Sequence, residues 1–243
     1  VGLITVGGCS IDMPGGGAMM PGLYDDAFVP GWQRFTDACH AHGAKVGAQL
    51  FHSGRYSYSF LFGIEPVAPS PVASKLTRQT PHELTADEIA AVVKAFGDAA
   101  ARAVAGGFDM VEVIGSAGYL LCQFISPIAN RRTDGYGGSF ENRLRFPREV
   151  IREVKARIGG KAALMVRIAG NDFMGAHAAR DDVFAVAKMY EEEGVQALSV
   201  TGGWHESLVP QITGHLPAGG FAYLARDIRA RAEIPVFAST RLG

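Results

Sequence analysis

The chain has 243 residues, near the usual size of one (β/α)8 barrel and long for most other single domains. Hydrophobic residues make up 48% and charged residues 19%, the balance of a globular protein with a substantial core. A net charge of −1 gives no electrostatic case for nucleic acid or an acidic membrane surface as a partner.

Cys9, Cys39 and Cys122 are far apart and form no CxxC pair, which argues against a disulfide framework and against a zinc or iron–sulfur site within these residues. No apolar run reaches membrane-spanning length without Gly or charge, and no basic-then-apolar leader stands at the start. The reducing cytoplasm is therefore the expected compartment. The chain opens at Val1 inside an apolar run and stops at Gly243 just after another, the pattern expected of a piece of a longer polypeptide.

In chain order, Leu3 to Val6 predicts a buried strand closed by Gly7 and Gly8. A loop rich in Gly, Met and Pro follows, and Val29 to Ala41 has helical spacing in Trp32, Phe35, Ala38 and Cys39. Lys45 to Phe51 predicts the second strand, with His52-Ser-Gly-Arg-Tyr56 at its end. Tyr56 to Pro81 is Pro/Ser-rich and aperiodic, and loops of that length in compact domains are usually lids or binding loops. Thr85-Ala-Asp-Glu88 is a capping box opening a helix to about Ala105, striped by Ile89, Val92, Val93, Phe96 and Ala100.

Met110 to Ile114 is the next strand, broken at Gly115, with Tyr119 just beyond and then a long loop dense in Arg, Asp, Asn and Gly. Helices are expected over 139–158, 181–193 and 221–232, with strands over 163–168, 197–200 and 235–238 between and after them. Six strands thus alternate with helices, and each crossover is long enough for a parallel pair. Pattern alone fits a barrel or a doubly wound sheet equally, but no GxGxxG follows the first strand. The expected fold is a TIM (β/α)8 barrel in one domain, 1–243, with about six of eight βα units present.

The strand ends collect the chemistry. In chain order they offer Gly7; Gln49, His52, Arg55 and Tyr56; Ser116, Tyr119 and Gln123; Arg167; Gly202, Gly203 and His205; then Ser239, Thr240 and Arg241. In a barrel these converge on one mouth. Arg167 lies in an apolar strand and needs an anionic or acceptor-rich partner, either Glu112 or a ligand. Gln49 is either a satisfied core amide or a group that meets a planar heterocycle. Tyr119 is protonated at neutral pH, so it is either a core tyrosine or a proton donor to a carbanion or enolate. His205 follows a Gly-rich turn and either donates to a carbonyl or sits as a surface cap. His40, His42, His82, His177 and His215 read as structural or solvated.

Gly118-Tyr-Leu-Leu-Cys-Gln-Phe124, then Asn130-Arg-Arg-Thr-Asp-Gly-Tyr-Gly-Gly-Ser-Phe-Glu-Asn-Arg143, resembles the signature of the old yellow enzyme family of NADH:flavin oxidoreductases. Gln49-Leu-Phe-His-Ser-Gly-Arg55 is similar to that family's second-strand motif. The resemblance implies a (β/α)8 barrel with FMN at its C-terminal mouth, with the first and eighth strands absent here. Many members carry His-Gly-Ala-His before the tyrosine; this chain reads Ile114-Gly-Ser-Ala117. That segment and Gly202-Gly-Trp-His-Glu206 resemble the 2,4-dienoyl-CoA reductase branch.

The resemblance implies proton donation by Tyr119, polarisation of substrate by His205, and FMN contacts from Gln49, Arg167, Arg241 and Gly7. It implies substrate contacts from Ser116, Trp204 and Glu206. No metal ligand is expected. The implied activity is reduction of an activated C=C, in an unsaturated carbonyl or a 2,4-dienoyl-CoA, with NAD(P)H as electron source. An iron–sulfur cluster and FAD are implied only for a C-terminal part beyond these residues. Leu208 and Ile128 stand where the branch can carry arginines, which weakens the CoA expectation. The alternatives are a flavin-dependent desaturase or amine dehydrogenase, or a barrel fragment that holds no flavin.

Overall fold

The computed structural model describes residues 1–175, 180–208, 216–240 and 242, without the side chains of residues 18, 180 and 181. Its main sheet has six parallel strands: β1 (Leu3–Ser10), β2 (Lys45–Phe51), β5 (Met110–Gly115), β6 (Ala163–Ala169), β7 (Ala197–Thr201) and β8 (Val236–Ala238). Their spatial order follows the sequence without reversal. A doubly wound sheet reverses its order at a switch point, so this singly wound order selects the barrel. The helices between them are α1 (Val29–His40), α2 (Ala86–Ala105), α3 (Leu120–Ile125), α4 (Phe140–Ile158), α5 (Arg180–Glu192) and α6 (Ala222–Arg229).

Side chains alternate across each strand, and the alternation divides the sheet into two chemically different faces. Val46, Ala48, Leu50, Val111, Val113, Leu164, Val166, Ile168, Leu198 and Val200 join the buried core with Ile89, Phe96, Val150, Ile151 and Val154 of α2 and α4. Each Val, Leu, Ile or Phe among them, fully removed from water, contributes roughly 1.5–3 kcal/mol, so this outer layer holds the strands in place. The other face is the concave one. Register aligns Gln49, Glu112 and Met165 in one row, and Ile114, Arg167, Ser199 and Phe237 in the next.

Three elements depart from the sequence reading. Strand β1 does not close at Gly7 and Gly8 but runs on to Ser10 through a register shift between Val6 and Cys9. Gly8 makes this possible: its φ is +32°, and a Cβ there would strike Met20 Cε. Helix α3 is additional; its six residues are too few to show a period. The aperiodic stretch after Tyr56 holds a short strand, β3 (Val67–Ala68), paired in parallel with β4 (His82–Glu83). Arg132 locks the Arg/Asp/Gly loop onto this pair by donating to Pro69 O at 3.0 Å and Leu84 O at 2.6 Å. The capping box forms as expected, with Glu88 N donating to Thr85 Oγ1 and Thr85 N donating to Glu88. Among the described residues, no helix is long and apolar enough to cross a membrane.

Candidate active site

The concave face of the sheet encloses a cavity of about 440 Å³ lined by Gly7, Gln49, Glu112, Tyr119, Arg167 and His205, with Thr5, Ile114, Met165 and Ser199 among the remaining walls. A barrel interior built only for packing would be apolar. Here Thr5, Gln49, Glu112, Arg167 and Ser199 all project inward.

At the floor, Gln49 Nε2 donates to Glu112 Oε2 at 3.1 Å. That contact fixes the amide with its oxygen toward Gly7, where a Cβ would lie 3.4 Å away. Burial raises the Glu112 carboxyl above the usual range, while Arg167 and the Gln49 hydrogen bond pull it back in part. The other carboxyl oxygen, Oε1, is buried with no hydrogen-bond partner among the described residues. Arg167 is half-buried; among the described residues it makes no hydrogen bond, and it acts on Glu112 and Tyr119 only through its charge. Among the described residues, the floor therefore holds a guanidinium, a carboxyl oxygen and an amide oxygen with no hydrogen bond of their own.

At the rim, Tyr119 Oη lies 2.7 Å from His205 Nε2. Burial raises the phenol's pKa, partly offset by Arg167, and burial lowers the imidazole's. At neutral pH both are uncharged, and one proton lies between them. Three aromatic contacts hold the pair: Phe51 edge-on to Tyr119 at 4.6 Å, and Tyr56 edge-on to Tyr119 at 6.3 Å and to His205 at 5.9 Å. The backbones of the two strand ends also meet, with His205 N donating to Ala117 O at 3.3 Å. Ala117 holds a left-handed φ of +61° to reach it, backbone strain of the kind found at functional sites.

Residues 1–222 match the NADH:flavin oxidoreductase / NADH oxidase family. The chain belongs to that family. It is 49% identical to a metal reductase of Desulforamulus reducens over 99% of its own length and 36% of that protein's. Its fold matches 2-naphthoyl-CoA reductase in complex with 2-naphthoyl-CoA at a TM-score of 0.93 and 30% identity, over 99% of this chain and 39% of that one. It matches an old yellow enzyme homologue from Zymomonas mobilis at a TM-score of 0.80 and 28% identity, over 98% of this chain and 68% of that one. The chain thus spans little more than a third of the first two proteins' length.

In the structure, Gly7, Gln49, Arg167, Tyr119 and His205 line one cavity. Ser116, Trp204 and Glu206, expected to touch substrate, do not line the cavity. Ser116 is wholly buried, and its Oγ has no partner among the described residues. Trp204 packs with Tyr56, Cys122 and Ala129 behind the rim. Glu206 is buried against Arg55. Arg241, His177 and His215 lie outside the described residues. Burial pushes the Cys9 and Cys122 thiols up to about 12, so neither is a thiolate nucleophile. Sequence alone assigns Glu112 only the role of an ion-pair partner to Arg167. The signal for its place on the floor was the polar residues at matching alternate positions of neighbouring apolar strands.

Proposed function

We propose that residues 1–243 form an FMN-binding barrel domain of an oxidoreductase that reduces an activated C=C with electrons from NAD(P)H. The observation that carries this is the uncharged Tyr119–His205 pair, 2.7 Å apart, at the rim of a cavity whose floor holds Gln49 and Arg167, the latter without a hydrogen bond among the described residues. The floor fits FMN: an amide oxygen suits a ring N–H, and a guanidinium suits carbonyl oxygens and a negative charge. Gln49 and Arg167 would hold the pyrimidine edge, and the Gly7 backbone leaves room beside it. FMN held there would supply hydride-transfer chemistry toward the substrate's C=C.

The chain's own residues supply the rest. His205 meets the substrate carbonyl and stabilises the charge that builds on its oxygen. Tyr119 then gives its proton to the carbon next to that carbonyl. Arg167 counters negative charge left at the floor. The family likeness supports an unsaturated carbonyl or acyl thioester as substrate, and the neighbour's naphthoyl-CoA complex supports the thioester. Leu208, 97% exposed, offers no charge for a CoA phosphate.

The test is anaerobic. The purified chain, mixed with FMN and reduced by NADH or NADPH, is offered 2-cyclohexenone and an enoyl thioester in separate runs. The flavin spectrum is expected to return to its oxidised form with stoichiometric saturated product. Failure to bind FMN overturns the proposal, as does the absence of re-oxidation by both the enone and the enoyl thioester.

A further inference from the structure

Tyr119 and His205 stand 86 positions apart in sequence, on the ends of different strands, yet their polar atoms meet at 2.7 Å. This inference rests on the roles given to them above and concerns what brings them together. Both are tied to one turn, Ser53 to Tyr56, which follows β2.

On the tyrosine side, the tie is Gln123 of α3. Its Oε1 accepts from Arg55 N at 3.0 Å, and its Nε2 donates to Ser53 O at 3.0 Å and to Gly118 O at 2.7 Å. Gly118 directly precedes Tyr119. On the histidine side, the tie is an ion pair. Arg55 Nη2 donates to Glu206 Oε2 at 2.6 Å, with the side chains only 2% and 3% exposed. Glu206 directly follows His205. Its Oε1 accepts from Lys75 N at 2.7 Å, and the Arg55 guanidinium sits 5.9 Å from the Trp204 ring.

The shared turn is shaped for this. Gly54 has φ +60°, and a Cβ there would collide with the Gln123 amide, 2.6 Å from its Nε2. Only glycine lets the amide settle on the turn. A buried ion pair adds little net stability over an apolar pair of the same volume, because desolvation offsets its attraction. Its effect here is on position. A bidentate-capable guanidinium with Ala73 O as a further acceptor at 3.3 Å holds one geometry.

We propose that Gly54, Arg55, Gln123 and Glu206 form a bracket that sets the Tyr119–His205 contact. Gln123 positions the tyrosine and the Arg55–Glu206 pair positions the histidine. None of the four lines the cavity, so each acts through another group. Displacements near 1 Å at reacting groups cost up to about a hundredfold in rate, so a partly loosened bracket is expected to cost about tenfold.

The experiment uses the FMN-loaded protein and two variants, one for each arm. Glu206→Gln keeps shape and an acceptor for Lys75 N but removes the charge. Gln123→Glu keeps the acceptor for Arg55 N but removes both donors. Each is expected to slow re-oxidation of the reduced flavin by 2-cyclohexenone about tenfold, and to slow reduction by NADH less than about twofold. Because both arms pass through Arg55, the double variant is expected to lose less than the product of the two. In ¹⁵N-histidine-labelled protein, with the signal assigned by a His205→Asn variant, the His205 Nε2 shift is expected to move in both variants.

Parent-like re-oxidation with a parent-like His205 signal in Glu206→Gln overturns the bracket. Equal losses in both half-reactions with a lowered unfolding midpoint also overturn it, since they mark a merely structural role. If the parent binds FMN but no enone re-oxidises it, the functional reading fails by itself. The His205 signal in the two variants then decides the bracket alone.

Discussion

At the residue scale, burial keeps two titratable groups uncharged where they meet. The Tyr119 phenol is raised and the His205 imidazole is lowered, each chiefly by desolvation. Substrate re-oxidation of the reduced protein is therefore expected to be flat from pH 7 to about 9, and to fall on the acid side as His205 takes up a proton. The same shift has a stability consequence. The unfolded chain protonates this histidine near its ordinary 6.5 and the folded chain only at lower pH. Its contribution is thus fully present above 6.5 and is lost as pH falls through the folded value. Urea unfolding of the parent and of His205→Asn over this range checks it; equal acid-side slopes contradict it. The floor makes a separate prediction. Arg167→Leu and Gln49→Leu each remove a group proposed to hold the cofactor, and a hydrogen bond involving a charge is worth about 1.5–3 kcal/mol. Arg167→Leu is expected to weaken FMN binding roughly 10–100-fold in a fluorescence titration, and Gln49→Leu by less.

At the element scale, local chemistry was readable where it acts within a few residues. The Thr85–Glu88 box is such a case, and Glu88 is held down to about 2, chiefly by the Thr85 N–H and by His82. Thr85→Ala is expected to destabilise the protein by about 1 kcal/mol, read as a lower urea midpoint at constant slope. All six main strands and five of the six helices fall where the hydrophobic pattern placed them, to within a few residues. The exceptions share a cause. The extension of β1, the pairing of β3 with β4, and the turn of α3 are fixed by contacts distant in sequence: Gly8 against Met20, Val67 against His82, and Gln123 against Gly54. No window of neighbouring residues contains those contacts.

At the scale of the whole molecule, the site is a product of strand alternation. Inward positions carry Thr5, Gln49, Glu112, Arg167 and Ser199, and the register of the parallel sheet gathers them under Tyr119 and His205. That much is visible in a sequence once strands are drawn. What is not visible is which polar residue near the mouth faces the cavity and which faces another loop. Glu206 follows His205 directly, yet it turns away to Arg55, and only the path of the loop after β2 shows why. Among the described residues, β1 and β8 are the two edges of the sheet, each with one neighbour, and inward-facing Leu3 and Phe237 are 41% and 50% exposed. Unpaired edges of this kind invite strand addition. The 243-residue chain is expected to self-associate with rising concentration in sedimentation velocity; a monomer at all concentrations contradicts this.

The role of Tyr119 as the proton donor is the claim on which the account turns, and stopped-flow re-oxidation of the FMN-loaded, reduced protein by an enone tests it most directly. Tyr119→Phe removes one oxygen and leaves the ring against Phe51 and Tyr56. A positioned general acid contributes about 10²–10⁴-fold. The variant is expected to re-oxidise at least about a hundredfold more slowly than the parent, by a margin far larger than any change in reduction by NADH. Equal re-oxidation rates in variant and parent would remove Tyr119 from the chemistry.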